Sequence, residues 1–207
     1  MSAQRKRTQK RTAIDLLGRR GVMRRADLID AGIHGQTLAR LVEEGIVFRP
    51  SRGIYQLSNS NITENHAFAE AIAAAPNSVV CLLSAMRFHG ITVQRPREVW
   101  LAISRKAREP KVTYPPVRFA WFTKDAMSIG IEHHVISGVR VPIFNPAKTV
   151  VDGFRYRNKI GRDVAIEALR ETIRKRLALP DQILDYAEQI GPIGVLRPHL
   201  DTVLANG

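Results

Sequence analysis

The segment between residues 32 and 55 decides the fold: "GIHGQTLARLVEEGIVFRPSRGIY". Its first half predicts a helix over residues 35–44 that Gly45 can end, because apolar residues recur at the i, i+3, i+4 spacing of one helix face. These residues are Leu38, Leu41 and Val42. Its second half predicts two strands, residues 46–49 and 53–57, around a tight "PSRG" turn. A short helix followed by such a hairpin is typical of a winged helix-turn-helix.

Two shorter helical patterns precede this segment. "RTAIDLLGRRG" predicts a helix that ends at Gly21, and "VMRRADLIDAGI" predicts one from about Arg25 to Ala31. Three short helices, the last two joined by only a few residues, form the helix-turn-helix arrangement. We therefore assign residues 11–58 to a winged helix-turn-helix domain.

The charge of the chain is unusual. Lys and Arg number 32 against 19 Asp and Glu, which gives a net charge of +13. Residues 1–57 contain 12 of the basic residues and 5 of the acidic ones, a net charge of +7. Such a balance attracts polyanions, of which nucleic acid is the commonest. The opening segment, residues 1–10, is basic, free of acids and without an apolar face, which predicts a flexible basic arm that touches phosphates.

The predicted helix-turn-helix presents few groups that could read DNA. The first residues of its second helix face base edges, where Gln can pair with adenine, Arg with guanine, and Thr with the thymine methyl group. The residues predicted to read bases are His34, Gln36, Thr37 and Arg40. The arginines predicted to hold phosphates, near the second helix and on the wing, are Arg24, Arg25, Arg49 and Arg52. Winged helices also serve as protein-protein interaction modules, and that alternative stays open.

A polar connector, "SNSNITEN", separates this domain from the rest of the chain. We expect a second domain over residues 63–207, with Thr63 capping its first helix. Strand-like runs follow at 98–103, 117–122, 131–136 and 139–144, and Ser137-Gly138 gives a hairpin signal between the last two. Helical patterns then return, with Asn145 as N-cap. This order predicts an α+β domain with a small, largely antiparallel sheet.

Few residues of the chain suggest catalysis or metal binding. Cys81 is the only cysteine, which excludes an internal disulfide and fits a cytoplasmic location. No apolar run is long enough to span a bilayer, so we expect no membrane as a partner. The histidines have no metal-ligand spacing, and we expect His66, His89, His133 and His134 to be surface or capping residues. We therefore predict a protein that is not an enzyme and has no metal or cofactor. The alternative is a metal-dependent nuclease, because Glu109 and Lys111 match half of an E-x-K motif.

A charged row occurs on the helix that starts at "NPAKTVVDGFRYR". Lys148 and Asp152 are spaced i, i+4, and Asp152 and Arg155 are spaced i, i+3, which places them along one helix face. Tyr156 and Arg157 continue the row. Two interpretations remain: a solvated, salt-bridged face, or a surface that recognises a partner protein or RNA, since Arg and Tyr are preferred in interfaces.

Three segments together resemble the AbiEi family of bacterial type IV antitoxins and related transcriptional regulators, over nearly the whole chain. They are "GVMRRADLIDAGIHGQTLARLVEEGIVFRPSRGIYQL", "CLLSAMRFHGIT" and "NPAKTVVDGFRYRNKIGRDVAIEAL". The resemblance implies a repressor that binds, as two copies, inverted repeats in double-stranded DNA of its own promoter. It also implies a second domain that counters a nucleotidyltransferase-like toxin in an abortive infection system. A stand-alone regulator without a toxin is the alternative.

The family's functional regions fall on residues already singled out. The resemblance places the DNA-binding role on Arg24, Arg25, Gln36, Thr37, Arg40 and Arg52. It places the antitoxin role on the region of Lys148, Asp152, Arg155 and Arg157.

Overall fold

A computed structural model describes residues 2–58 and 65–205, with side chains from residue 9 onward. The chain divides into two compact units. The first contains residues 1–77 together with 110–117 and 134–141, and the second contains 78–109, 118–133 and 142–207. The first unit therefore extends past the boundary expected at residue 63.

The first unit has the elements of a winged helix-turn-helix. In chain order they are α1 (Ser2–Arg20), β1 (Met23–Arg24), α2 (Arg25–Asp30), α3 (Gly35–Glu43), β2 (Val47–Ser51), β3 (Ile54–Leu57) and α4 (His66–Ala74). The strands form an antiparallel sheet in the order β1-β3-β2. The structure thus confirms the predicted winged fold. It adds β1, which is too short to show a periodicity in the sequence.

An apolar cluster holds α1, α2 and α3 against the wing. Leu38 and Leu41 of α3 are buried as expected, whereas Val42 is half-buried and packs at the edge of the cluster. The other helices and β2 contribute Leu17, Leu28 and Val47. Each such side chain stabilises the fold by about 1.5–3 kcal/mol when fully buried. The core therefore takes up one face of α3 and leaves the opposite face exposed.

Helix α1 begins at Ser2 and so includes most of the expected flexible arm. The prediction of a flexible arm over residues 1–10 rested on their charge and on the lack of an apolar face. However, Arg, Lys, Gln and Ala are all good helix formers, which favours a helix in this segment. In addition, Gln9 Nε2 donates to the Gly32 carbonyl at 3.1 Å, and Lys10 forms an ion pair with Glu44. These contacts join α1 to Gly32, before α3, and to Glu44, after α3.

The first unit includes α4 because of a buried polar network around His66. The His66 side chain, 4% exposed, lies 2.7 Å from Gln56 Oε1 of β3 and 2.8 Å from Ser137 Oγ. Glu70, one helical turn on, is also buried, with an oxygen 3.6 Å from His66 Nε2. The expectation that His66 lies at the surface is therefore wrong: its two ring nitrogens join α4 to the wing and to residues 134–141. The expected N-cap Thr63 lies outside the described residues.

The tip of the hairpin at Ser137 and Gly138 belongs to the first unit. Gly138 has φ +75°, and a side chain there would overlap the backbone of Arg20 at the end of α1. Likewise, a side chain at Gly21, where φ is +68°, would overlap the Ser137 carbonyl. The two glycines therefore permit a close approach of two backbone segments that no other residue allows.

The second unit combines a mixed sheet with a helical layer. Its elements are β4 (Val79–Val80), α5 (Leu82–Phe88), β5 (Val99–Ser104), β6 (Val117–Phe122), α6 (Lys124–Ser128), β7 (Ile131–Ile136), β8 (Val139–Phe144), α7 (Pro146–Arg155), α8 (Arg157–Ile160), α9 (Arg162–Arg174), α10 (Pro180–Ile190) and α11 (Ile193–Ala205). Residues 117, 134–136 and 139–141 of these strands group with the first unit. The strand order is β6-β5-β4-β8-β7.

The sheet confirms the α+β class and modifies the expected pairing. Strand β4 pairs antiparallel with β5 but parallel with β8, so the sheet is mixed. Strand β4 consists of only Val79 and Val80. Asn145 caps α7 as expected, since its Oδ1 accepts from the Lys148 backbone N–H at 2.9 Å.

Helix α7 lies at the centre of the helical layer. It packs against α5, α9, α10 and α11, and its residues from Ala147 to Phe154 are all buried. No helix within residues 2–58 and 65–205 is both long and apolar enough to cross a bilayer.

Candidate nucleic-acid interface

The exposed face of α3 carries three of the four residues predicted to read bases. His34 is the N-cap of the helix, and its side chain makes no capping hydrogen bond. His34, Gln36 and Arg40 are all exposed, while Leu38 and Leu41 point into the core. The side chains that can reach a groove are thus separated from those that hold the helix in place.

Thr37 differs from the other three. Its hydroxyl donates to Gln9 Oε1 of α1 at 2.9 Å, and the residue is half-buried. The hydroxyl therefore joins α3 to α1. This contact could not be predicted from the sequence, because Gln9 is 28 positions away and lies in the segment expected to be flexible.

Arg25 lies beside the first turn of α3. A Cβ atom built on Gly35 would come within 2.8 Å of Arg25 Nη2, so the guanidinium passes over the glycine backbone. The first turn of α3 contains no acidic residue, and the positive end of a helix dipole attracts anions. An arginine at this position therefore adds a second positive group where a phosphate would meet the helix.

Arg24, in contrast, already has a partner. Its Nε and Nη2 atoms donate to the two carboxylate oxygens of Asp27 at 3.1 and 3.0 Å. The pair is exposed, so it contributes little to stability, but it neutralises the arginine. A phosphate would have to compete with Asp27 for Arg24, whereas Arg25 offers its charge without such competition from Asp27.

The wing presents its arginines to solvent. Arg49 and Arg52 are exposed, and a register shift between Phe48 and Ser51 interrupts the pairing of β2 with β3. Bulges of this kind twist a strand and redirect its side chains. Phe48 is also 51% exposed. The wing thus combines two cations with one exposed apolar ring. The exposure of Phe48 was not predicted, although neighbouring residues of a strand point to opposite faces and Val47 is buried.

The expectation that the charged row on α7 lies at the surface is wrong. Lys148 and Asp152 are both 0% exposed, and their Nζ and Oδ2 atoms are 2.6 Å apart. Lys148 Nζ also lies 4.2 Å from the ring centroid of Phe144 and 5.0 Å from that of Phe122. The i, i+4 spacing was correct, but the face that carries the pair points into the core. Spacing alone cannot distinguish a solvated ion pair from a buried one.

Burial governs the acid-base properties of this pair. Desolvation raises the pKa of Asp152 to about 6, against the attraction of Lys148. Desolvation likewise lowers the pKa of Lys148. Asp152 Oδ1 has no hydrogen-bond partner within the described part of the chain. Lys148 and Asp152 therefore form a buried ion pair inside the core, and the charge of Arg155 also acts on both of them.

The rest of the row is half-buried. Arg155 Nη1 donates to the Ile190 carbonyl, and Arg157 Nη1 donates to the Phe154 carbonyl, each at 2.9 Å. The Tyr156 hydroxyl donates to the Trp121 carbonyl at 2.6 Å. These side chains serve mainly to join α7 and α8 to neighbouring backbone.

The E-x-K residues lie on an irregular segment between β5 and β6. Glu109 and Lys111 are both exposed there, and neither is on a strand. Within the residues that the structure describes, no group of three or more His, Cys, Asp or Glu is arranged to hold a metal ion. No observation favours the nuclease alternative over a binding role.

The three-helix core, the three-stranded wing and the exposed face of α3 define a winged helix-turn-helix, the class to which many transcriptional regulators belong. Residues 11–58 match the model of the family described as "Transcriptional regulator, AbiEi antitoxin". The regulator role that the resemblance implied is thus supported for this part of the chain. No curated protein matches the sequence.

A solved structure shares the fold of nearly the whole chain. The crystal structure of the RV2827C protein from Mycobacterium tuberculosis superposes with a TM-score of 0.64 and 14% sequence identity. The match covers 95% of this chain and 77% of the other. At this identity the likeness concerns the fold alone.

Proposed function

We propose that this protein is a sequence-specific DNA-binding repressor of its own promoter and the antitoxin of a type IV toxin-antitoxin system that acts in the bacterial cytoplasm. The observation that carries the DNA-binding part is the exposed face of α3, with His34, Gln36 and Arg40 on a helix whose other face is buried. The family description of residues 11–58 supports the regulatory part.

In the proposed mechanism α3 enters the major groove, and three groups per copy contact base edges. Arg25, Arg49 and Arg52 hold phosphates on either side and provide affinity without sequence information. Three reading side chains specify only a short half-site. Two copies on an inverted repeat double the number of base contacts and block access of the polymerase.

Footprinting on the DNA upstream of the protein's own gene tests the DNA-binding proposal. We expect two protected half-sites related by a two-fold axis and one or more helical turns apart, about 10 base pairs for each turn. An unrelated fragment of equal length is the control. Equal protection along both fragments would show binding without sequence specificity and would reject the proposed role.

The antitoxin part requires a separate test. If a nucleotidyltransferase-like reading frame lies beside the gene, its expression alone should arrest growth, and coexpression of this protein should restore it. The Arg40→Ala variant should still restore growth if the second unit acts independently of promoter binding. Growth arrest that persists with the unaltered protein would remove the antitoxin role and leave the stand-alone regulator.

A further inference from the structure

The side chain of Gln9 on α1 contacts both the turn before α3 and the first turn of α3 itself. Its Nε2 atom donates to the Gly32 carbonyl at 3.1 Å, and its Oε1 atom accepts from the Thr37 hydroxyl at 2.9 Å. The Gly32 carbonyl can only accept a hydrogen bond, so the amide group must face it with its nitrogen. Both ends of the amide are therefore engaged, in one orientation, at the end of α3 that begins the proposed reading site.

Helix α1 holds this amide group in place. Ala13 and Leu17 follow Gln9 at spacings of four and eight residues, so the three side chains lie on one face of the helix. Ala13 is 0% exposed and Leu17 is 1% exposed, and both belong to the apolar cluster of the winged fold. Helix α1 begins at Ser2, so Gln9 lies within the helix and not at its end. The amide is therefore carried by a helix that is itself packed against the core.

Thr37 lies between two of the proposed reading residues. His34, Thr37 and Arg40 follow one another at a spacing of three residues, which places them near one line along α3. Thr37 is half-buried, whereas His34 and Arg40 are exposed. The bond to Gln9 therefore holds this line of residues at its centre, and the side chains before and after Thr37 stay exposed.

A hydrogen bond at this point restricts the rotation of α3 more sharply than its apolar contacts do. The burial of Leu38 and Leu41 is non-directional, whereas a hydrogen bond weakens steeply as its angle departs from linearity. A rotation of α3 by about 10° would move a side-chain end roughly 6 Å from the axis by about 1 Å. That displacement exceeds the range of about 0.5 Å over which N–H···O distances occur. Small rotations would therefore break base contacts while the core stays buried.

We propose that Gln9 is a positioning residue for base reading: its amide group fixes the orientation of α3 and thereby the positions of Gln36 and Arg40. Gln9 acts through Thr37 and Gly32 and not by contact with DNA. The inference rests on the proposed function, because it requires α3 to read DNA sequence. It adds a determinant of specificity that lies outside both α3 and the wing.

Binding of the full chain to two DNA fragments tests this proposal: the fragment upstream of the protein's own gene and an unrelated fragment of equal length. The specificity ratio is the dissociation constant for the unrelated fragment divided by that for the upstream fragment. Gln9→Met removes both hydrogen bonds of the amide and keeps the length of the side chain. We expect it to lower the specificity ratio at least about fivefold, the smallest discrimination that one good base contact provides. Binding of the unrelated fragment and its salt dependence should hardly change, because no charge is altered.

Variants of Thr37 separate its hydroxyl group from its methyl group. Thr37→Val keeps a methyl group but loses the hydroxyl, and we expect the same loss of specificity as for Gln9→Met. Thr37→Ser keeps the hydroxyl and should retain the specificity ratio. The double variant Gln9→Met/Thr37→Val should match either single variant within about twofold, because both substitutions remove the same hydrogen bond.

Thr172→Val is the matched control for loss of a structural hydroxyl group. The Thr172 hydroxyl is buried in α9 of the second unit and donates to the Ala168 carbonyl at 2.7 Å. Its removal should leave the specificity ratio unchanged, whatever it does to the unfolding temperature. If Gln9→Met does not fold, Gln9→Asn takes its place, because its amide is one methylene group too short to bridge both partners.

The proposal is overturned if the Gln9 variant keeps the specificity ratio or if the losses of the two single variants multiply in the double variant. It is also overturned if Thr37→Ser loses specificity while Thr37→Val keeps it, which would mean direct reading by the Thr37 methyl group. A preference for the upstream fragment that persists in all variants rejects only the positioning role of Gln9. Equal binding of both fragments by the unaltered protein would reject promoter reading and, with it, this proposal.

Discussion

Lys148→Met is expected to destabilise the second unit by about 3–5 kcal/mol at pH 7. The substitution leaves Asp152 fully buried without its counter-charge, and Asp152 Oδ1 already lacks a hydrogen-bond partner among the described residues. The loss should grow as the pH rises. Asp152 would bind its proton more tightly in the folded than in the unfolded chain, so ionisation above pH about 4 penalises the folded state.

Urea unfolding followed by tryptophan fluorescence measures this loss. Both tryptophans of the chain, Trp100 and Trp121, lie in the second unit, so the signal reports on that unit. The matched control is Lys175→Met. Lys175 forms an exposed ion pair with Glu171 at the same four-residue spacing, and its loss should cost less than about 1 kcal/mol.

A double variant distinguishes the pair from the packing of its side chains. Lys148→Met/Asp152→Leu replaces both charges by apolar groups, and we expect it to recover most of the stability lost in the single variant. If the double variant is less stable than Lys148→Met, the pair contributes through something other than charge compensation. An unchanged stability of Lys148→Met would contradict the buried position of the pair.

Glu70→Gln is expected to stabilise the first unit at pH 8, by at most about 3 kcal/mol. Burial raises the pKa of Glu70 to about 7, from the usual value of 4.5. The folded state therefore holds the proton more tightly than the unfolded state does. The associated stability is fully present below pH 4.5 and is lost as the pH rises from 4.5 to 7. A glutamine keeps the neutral form at every pH and so removes this loss.

Thermal unfolding between pH 4.5 and 8 tests this prediction, with the difference between variant and wild type as the measured quantity. The difference is needed because burial lowers the pKa of His66, which destabilises the fold as the pH falls below 6.5 and so acts in the opposite sense. Glu43→Gln on the exposed end of α3 is the control and should show no such trend. A constant difference across the pH range would mean that Glu70 is not a buried acid.

The sequence predicted the elements that have a clear periodicity. Strands 117–122, 131–136 and 139–144 lie where they were expected, and so does α3 with its buried Leu38 and Leu41. In these segments the local pattern and the tertiary environment agree. The two-residue strands β1 and β4 could not be predicted, because a strand of that length exists only through its pairing with a distant segment.

The sequence did not allow us to predict which polar residues are buried. Lys148, Asp152 and His66 were expected at the surface, since polar residues usually lie there. His66 and Lys148 are buried against partners that only the fold brings close: Ser137 is 71 positions from His66, and the Phe122 ring lies 5.0 Å from Lys148 Nζ. The predicted boundary at the polar connector stays a prediction. The first compact unit extends beyond it to residue 77, and the His66 network joins α4 to the wing.

The candidate reading site was predicted in part. The exposure of His34, Gln36 and Arg40 followed from the apolar face of α3, because the residues opposite a buried face must be exposed. The engagement of Thr37 by Gln9 and of Arg24 by Asp27 depends on side-chain geometry and was not foreseen. We therefore propose three base-reading residues, His34, Gln36 and Arg40, instead of the four predicted, because the Thr37 hydroxyl is engaged by Gln9.

The central claim, that α3 reads DNA sequence while the wing holds phosphates, is tested most directly by comparing Arg40→Ala with Arg52→Ala on the footprinted site and on random DNA over a range of salt concentrations. We expect Arg40→Ala to cost about 1–3 kcal/mol on the specific site and much less on random DNA. Arg52→Ala should weaken binding to both DNAs about equally and reduce the salt slope by roughly 0.9. Equal losses on both DNAs for Arg40→Ala would contradict the assignment of α3 as the reading helix.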